Sequence, residues 1–168
     1  MIVVLMGVSG AGKSAVGAAL AGRVGAEFLD ADDFHLQENV TKMESGTALT
    51  DDDRWPWLDR IGACLCDAEA SPRGVAIACS ALKRAYRDRI RAAAPGVRFV
   101  FLDGPAALIE TRMAARTGHY MPGTLLASQL QTLERPGADE GDVERFSIEL
   151  RAEEIITRAT AALVRGCE

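Results

Sequence analysis

A glycine-rich motif near the start of the chain constrains the fold more than any other feature. Residues 7–14 read GVSGAGKS; they follow the apolar run of residues 2–6 and lead into a helix-compatible segment from Ala15. A strand, a glycine-rich turn and a helix in this order form a phosphate-binding loop, or P-loop. The motif therefore predicts a nucleoside triphosphate site, and the competing interpretation is a chance glycine-rich turn.

Each part of the motif has an expected task. The glycines let backbone N–H groups turn toward phosphate oxygens, and the N-terminus of the following helix adds a partial positive charge. Lys13 is expected to reach the β- and γ-phosphates and to act in catalysis, and the Ser14 hydroxyl is expected to bind Mg²⁺. The predicted cradle comprises Gly7, Val8, Ser9, Gly10, Ala11, Gly12, Lys13, Ser14 and Ala15.

Composition narrows the class of partner. The chain has 168 residues, a net charge of −5 and a pI near 5.1. This balance argues against nucleic acid or an acidic membrane surface as the main partner, and we expect no membrane association. The apolar N-terminal run breaks at Gly7 and lacks a preceding basic segment, so it predicts a strand and not a signal peptide. The four cysteines are expected to be free thiols in a reducing cytoplasm.

Apolar runs alternate with helical patterns along the whole chain. The runs are continuous, as in parallel strands that are covered on both faces. We therefore predict one domain over residues 1–168, a three-layer α/β/α fold of the P-loop NTPase type with a five-stranded parallel sheet and a small lid. The predicted strands are residues 2–6, 26–29, 75–79, 97–102 and 143–148.

Residues 30–57 are polar and rich in motifs, and we interpret them as the substrate-binding region. Asp30 and Asp32 follow the second strand, and an extended segment would place both on one side. We predict that Asp30 holds the metal and that Asp32 accepts a proton from an attacking hydroxyl. The alternative is a solvated acidic loop. His35 beside them is expected either to contact substrate or to make a structural hydrogen bond.

Two cations are candidates for holding an acidic acceptor. Arg54 lies in an acidic helix start, where its guanidinium suits a carboxylate, although a surface ion pair is the alternative. Ser80 and Lys83 follow the third strand. Ser80 is expected to cap the next helix and to contact substrate, and Lys83 in the first turn opposes the helix dipole, so a nearby anion is expected.

Arg112 and Arg116 are spaced to share one helix face, and this helix leads to a glycine-containing segment. We predict that they close over the transferred phosphate from a lid of about residues 112–136. A solvated basic face is the alternative.

The chain resembles the gluconokinases, small P-loop kinases related in fold to shikimate kinase. The residues that carry the resemblance, besides the P-loop, are DDDRWPWL at 51–58, CSALK at 79–83, ARTGHYM at 115–121 and PGAD at 136–139. The sequence departs from the usual family pattern at Ala31, Leu36 and Ala48, of which Ala31 and Leu36 border the acceptor loop.

The resemblance implies transfer of the γ-phosphoryl group of ATP to the 6-hydroxyl of D-gluconate with Mg²⁺, and often a homodimer. It implies that Asp32 activates the hydroxyl and that the following residues hold the sugar acid: His35, Arg54, Ser80, Lys83, His119 and Gln129. Another small acid kinase, such as a shikimate kinase, is the alternative within this class. A nucleotide-binding switch protein that transfers nothing is the alternative outside it.

Overall fold

The computed structural model describes residues 1–115 and 123–165, and over this part of the chain it contains five strands and seven α-helices. The strands are β1 (Ile2–Met6), β2 (Glu27–Asp30), β3 (Val75–Ala78), β4 (Arg98–Asp103) and β5 (Val143–Ser147). The helices are α1 (Lys13–Val24), α2 (Gln37–Glu44), α3 (Asp51–Glu69), α4 (Arg84–Ala93), α5 (Ala106–Ala114), α6 (Gly123–Thr132) and α7 (Ala152–Arg165). A short 3₁₀ helix (Ala31–Phe34) follows β2.

The strands form one parallel sheet in the order β2-β3-β1-β4-β5, which confirms the predicted α/β fold. In the register of this sheet, Leu5 of β1 pairs with Ala78 of β3, and Ala78 pairs with Asp30 of β2. The carboxyl ends of these three strands are therefore level. The segments that follow β1, β2 and β3 consequently meet at one edge of the sheet, where ligands bind in open α/β folds.

The continuous apolar pattern of β1 arises because both faces of the sheet are covered. Ile2, Val4 and Met6 contribute to the core on the side of α3 and α4. Val3 and Leu5 point to the opposite core, which includes residues of α1, α5 and α7. Both sets are buried, so alternation of polarity is absent, as expected for a central parallel strand.

The start of α3 is fixed by a reciprocal cap. The Thr50 hydroxyl accepts a hydrogen bond from the Asp53 N–H, and the Asp53 carboxylate accepts one from the Thr50 N–H. This cap places Asp51 and Arg54 in the first turn of α3, facing the sheet edge described above. No helix within the described residues has the length and apolar character needed to span a membrane.

Candidate active site

The P-loop connects β1 to α1 in a conformation that depends on its glycines. Gly7 and Gly10 have φ angles of 140° and 83°, and a Cβ at Gly10 would lie 2.7 Å from Cγ of Met113. Gly12 has a φ of 97° and directly precedes Lys13, the first residue of α1. A Cβ built on Gly12 would meet no atom within 4 Å, so this face of the loop opens into free space. The loop and the helix N-terminus thus form a cradle that suits an anion.

Two side chains contact the backbone of the loop. The Nζ of Lys13 donates to the Val8 carbonyl over 3.1 Å. The N–H of Ser9 donates to Oε1 of Gln129, which reaches the loop from α6, over 2.6 Å. Gln129 is thus placed at the predicted phosphate cradle, and its predicted contact with a sugar acid stays a prediction.

The P-loop and the segment after β2 meet at Ser14 and Asp30. The Ser14 hydroxyl donates to one carboxylate oxygen of Asp30 over 3.0 Å, and the other oxygen accepts the Asp32 N–H over 3.1 Å. The extended conformation expected for residues 30–32 is wrong, because Asp30 caps the 3₁₀ helix that contains Asp32. The tight turn nevertheless keeps both carboxylates at the mouth of the P-loop.

Asp32 has an electrostatic environment suited to holding a proton. Desolvation by the surrounding protein, followed by the negative charge of Asp30, raises the pKa of the Asp32 carboxyl above its ordinary value, although the residue keeps access to solvent. The Lys13 ammonium opposes this shift, which places Asp32 within the field of the P-loop cation. A carboxylate with a raised pKa beside a phosphate cradle is a candidate general base.

His35 and Arg54 present unpaired nitrogens near the same edge. The imidazole of His35 stacks on the Trp57 ring with a centroid distance of 4.5 Å, and burial, with the charge of Arg54, lowers its pKa. His35 Nδ1 and Arg54 Nε are both buried without a hydrogen-bond partner. Buried polar nitrogens of this kind cost free energy unless a ligand satisfies them, so these two side chains are candidate substrate contacts.

Lys83 does contact an anion, as its position predicted, and that anion is Asp51. The Lys83 Nζ lies 2.8 and 2.7 Å from the two carboxylate oxygens of Asp51, which also accepts the Tyr86 hydroxyl. These bonds lower the pKa of Asp51 and raise that of Lys83. Nothing in the local sequence indicates this ion pair, because its two residues lie 32 positions apart along the chain.

The segment between β3 and α4 differs from the prediction. We expected Ser80 to cap the helix and Lys83 to lie in its first turn, but α4 begins at Arg84 and Lys83 is the N-cap residue. Ser80 instead accepts the Gly7 N–H through its carbonyl over 3.2 Å. Ala81, with a φ of 43°, makes a sharp turn that displaces the helix start.

The lid arginines are only partly described. Arg112 lies on α5, which ends at Ala114, and its guanidinium donates to the Ile148 carbonyl over 2.6 Å. Arg116 and His119 lie outside the described residues, as does Cys167. The predicted phosphate contacts of Arg112 and Arg116 and the substrate contact of His119 stay predictions.

The residues at the P-loop mouth fit a magnesium ion. A hydroxyl and a carboxylate are oxygen ligands, and Mg²⁺ in phosphate sites is typically held by one or two protein ligands together with phosphates and waters. Ser14 and Asp30 supply such a pair at 3.0 Å from each other. Within the described residues, no three or more acidic, histidine or cysteine side chains are grouped so that they could hold a metal ion. The residues present therefore fit a magnesium ion held by two protein ligands together with phosphates and waters.

A phosphate cradle, an adjacent carboxylate with a raised pKa and cationic side chains near one sheet edge are the features of a kinase of the P-loop class. Residues 2–136 match the family described as an AAA domain. The chain is 45% identical to the thermosensitive gluconokinase of Escherichia coli K12, with 86% of this chain and 78% of that protein covered. It is 41% identical to the thermoresistant gluconokinase of the same organism, with coverage of 98% and 94%.

A solved structure gives the same result. The crystal structure of a gluconokinase from Sinorhizobium meliloti 1021 superposes with a TM-score of 0.87 at 48% identity, covering 97% of this chain and 91% of that one. The chain belongs to the gluconokinase family. The resemblance that the sequence motifs indicated is thereby confirmed.

Proposed function

We propose that this protein phosphorylates D-gluconate at its 6-hydroxyl with ATP, giving 6-phospho-D-gluconate and ADP. The observation that carries the proposal is its membership of the gluconokinase family over nearly the whole chain. The site supports it independently, because a carboxylate for a hydroxyl and cations for an acid lie beside the phosphate cradle.

The donor side of the site belongs to the P-loop. Backbone N–H groups of residues 7–15 and the Lys13 ammonium would hold the phosphates of ATP and stabilise the charge on the transferred group. Ser14 and Asp30 would hold Mg²⁺, which neutralises phosphate charge when it is bound. Arg112 and Arg116, from the proposed lid of about residues 112–136, would approach the phosphates from the opposite side.

The proton of the acceptor passes to Asp32 in this mechanism. Its carboxylate would accept a hydrogen bond from the 6-hydroxyl and take the proton as that oxygen bonds to the γ-phosphorus and the bond from phosphorus to the bridging oxygen breaks, releasing ADP. The raised pKa of Asp32 favours this role, since it brings the basicity of the carboxylate closer to the operating pH.

The acceptor would lie over residues 30–57 and the segment after β3. The unpaired nitrogens of His35 and Arg54 support contacts with hydroxyl or carboxylate oxygens. Lys83 would share its charge between Asp51 and the carboxylate of the acid. Ser80, His119 and Gln129 complete the proposed set of acceptor contacts.

The direct test is ADP release from Mg·ATP with and without candidate acceptors. D-gluconate, shikimate and related sugar acids are added singly, and the product is identified by mass spectrometry. We expect strong stimulation by gluconate alone. Stimulation by another acid would keep the kinase mechanism and change the acceptor, with Ala31 and Leu36 as the first residues to exchange. ATP binding without stimulation by any acid would favour a nucleotide switch.

We propose further that the protein acts in the cytoplasm as a homodimer built from single-domain chains. A reaction that consumes ATP and the free thiols of Cys64, Cys66 and Cys79 support a reducing, ATP-containing compartment. Light scattering tests the assembly, because a monomer at micromolar concentration would contradict it. Fractionation of cells tests the location.

A further inference from the structure

A buried ion pair lies behind the acceptor side of the site and takes no part in the mechanism described above. Arg87 of α4 is fully buried, and its Nε and Nη2 each donate to a carboxylate oxygen of Glu140 over 2.7 Å. A buried ion pair is weak evidence for stability as such, because desolvation of both charges offsets much of their attraction. The presence of this ion pair therefore needs an explanation other than stability.

The remaining nitrogen of Arg87 contacts the backbone of two separate segments. Its Nη1 lies 3.2 Å from the Ala81 carbonyl, 3.3 Å from the Leu82 carbonyl and 3.1 Å from the Glu134 carbonyl. Ala81 and Leu82 belong to the loop of residues 80–83, which we call the β3–α4 loop and which carries Lys83. Glu134 follows α6. One guanidinium thus joins the acceptor-side loop to the segment beyond α6.

The β3–α4 loop contains a strained residue. Ala81 has a φ of 43° and is the one non-glycine residue with a positive φ in the part of the chain that the structure describes. A side chain with a Cβ resists this conformation, and it persists only where surrounding contacts enforce it. Ala81 is fully buried, and its carbonyl is among those that Arg87 holds.

A second set of contacts fixes the same loop from the segment after α6. The Glu134 N–H donates to the Leu82 carbonyl over 2.9 Å, and the Glu134 carboxylate accepts the Arg84 N–H over 2.7 Å. Lys83 lies between these two contacts. Arg87 and Glu134 therefore fix the backbone on both sides of Lys83, and this backbone positions the Lys83 ammonium.

We propose that Arg87 is a positioning residue for the acceptor: held by Glu140, it keeps the β3–α4 loop in its strained conformation and so aims Lys83 at the acid. The inference rests on the proposed function, in that Lys83 contacts the acceptor. Arg87 touches neither substrate and acts through the loop.

Arg87→Lys is the first variant to test. Lysine keeps the positive charge opposite Glu140 but lacks the forked guanidinium that reaches both the carboxylate and the loop carbonyls. We expect the gluconate KM to rise about tenfold, a typical effect of losing one or two hydrogen bonds, while the ATP KM changes less than about twofold. An unchanged gluconate KM, or an equal rise in both KM values, would overturn the proposal.

Arg91→Lys is the matched control. Arg91 lies one turn along α4 and also binds Glu140, together with Asp142, but within the described residues its guanidinium donates to carboxylates and not to the loop carbonyls. This variant should lose thermal stability without a change in the gluconate KM. A shift of the gluconate KM as large as that of Arg87→Lys would mean that general loosening of the protein explains both.

Ala81→Gly tests the link to backbone strain. Glycine adopts a φ near 43° without the Cβ penalty, so the loop needs less enforcement. Alone, this variant should keep the gluconate KM within about twofold of the parent, and combined with Arg87→Lys it should recover most of the lost affinity. A double variant no better than Arg87→Lys would contradict the proposed role.

Hydrogen exchange separates this inference from the proposed function. Amides of residues 79–86 are followed by mass spectrometry in the absence of substrate. Exchange should accelerate about tenfold in Arg87→Lys, remain unchanged in Arg91→Lys and recover in the double variant. If the parent protein does not phosphorylate gluconate, the proposed function fails, but this exchange pattern still decides whether Arg87 holds the loop. If Arg87→Lys does not fold, Glu140→Gln replaces it in the same measurements.

Discussion

Asp32 illustrates how function at a single residue opposes stability. Its carboxylate lies beside Asp30 and is partly desolvated, so the folded state raises its pKa. A raised pKa for an acid means that the ionised form is less favourable in the folded protein than in the unfolded chain. The charge that would accept the substrate proton therefore destabilises the protein at neutral pH.

We predict opposite effects of Asp32→Asn on activity and stability. Loss of a general base should lower kcat by at least about a hundredfold with little change in ATP affinity. The melting temperature should rise, because an ionised group in an unfavourable site is removed. Asp33→Asn is the control, since Asp33 is the neighbouring acid of the same 3₁₀ helix and is not among the proposed site residues. Near-parental turnover in Asp32→Asn would remove this residue as the base.

The pH dependence of catalysis gives a second test of Asp32. The base must be ionised to accept a proton, so kcat/KM should fall on the acidic side as Asp32 becomes protonated. Because its pKa is raised, this loss should occur above the value of about 3.9 for an unperturbed aspartate. A profile measured with a mixed buffer checks it, and an acid limb at or below that value would contradict the assignment.

We predict that Arg54 contributes to binding of the acceptor and not to binding of the nucleotide. Its Nε is buried without a partner, and its guanidinium lies 5.8 Å from the centroid of the Tyr86 ring, on the acceptor side. Arg54→Lys should raise the gluconate KM about tenfold and change the ATP KM little. Arg89→Lys is the control, because Arg89 is exposed and its guanidinium binds Asp59, which is not among the proposed site residues. Equal KM values in the two variants would exclude the contact.

At the scale of elements, the sequence predicted what depends on local patterns. The five strands lie within one residue of their predicted bounds, because continuous apolar runs between turn residues are a strong local signal. The P-loop could be predicted equally well, because its glycines are required by the geometry of a local turn. The conformation after β2 could not be predicted, because it depends on the Asp30 side chain accepting the Asp32 N–H, which the apolar pattern does not show.

The β3–α4 loop shows why other parts of the site were beyond prediction. Its sharp turn lies at Ala81, where no glycine indicates it in the sequence. The turn is held by Arg87 and Glu134, which belong to other segments. Likewise the pairing of Asp51 with Lys83 joins the start of α3 to the start of α4. Such contacts depend on tertiary packing, which one-dimensional spacing does not encode.

The contact of α6 with the P-loop distinguishes two roles for Gln129. Its Oε1 accepts the Ser9 N–H, so Gln129→Leu should loosen the loop and raise the ATP KM by about three- to tenfold. Gln131→Leu is the control, since Gln131 lies exposed on the same helix. A rise confined to the gluconate KM would instead support the acid contact that the sequence resemblance implied.

For the molecule as a whole, the net charge has the same sign as the proposed substrates. A net charge of −5 repels ATP and a sugar acid at long range, so binding depends on cations gathered at one edge. Lys13, Arg54 and Lys83 come from three different helix starts that the level strand ends bring together. The parallel sheet therefore gives an acidic chain a local group of cations that suits the proposed anionic substrates.

Glu140, which precedes β5, makes the stability of the fold depend on pH in acid. Hydrogen bonds from Arg87 and Arg91 lower the pKa of Glu140 to about 2, against the opposing effect of burial. A lowered pKa stabilises the folded state above the unfolded value and loses this contribution as the pH falls toward 2. We expect a loss on the order of 3 kcal/mol in the free energy of unfolding across that range from this group.

Urea denaturation between about pH 5 and about pH 2 measures this loss. Glu140→Gln should be less stable than the parent at neutral pH, because Arg87 keeps a buried charge without its counterion, and its stability should fall less steeply on acidification. Glu144→Gln is the control, since Glu144 pairs at 3.5 Å with the partly exposed Arg98 and should leave the slope unchanged. Parallel curves for Glu140→Gln and the parent would mean that other carboxylates govern acid unfolding, and that the Arg87–Glu140 pair contributes position without pH-dependent stability.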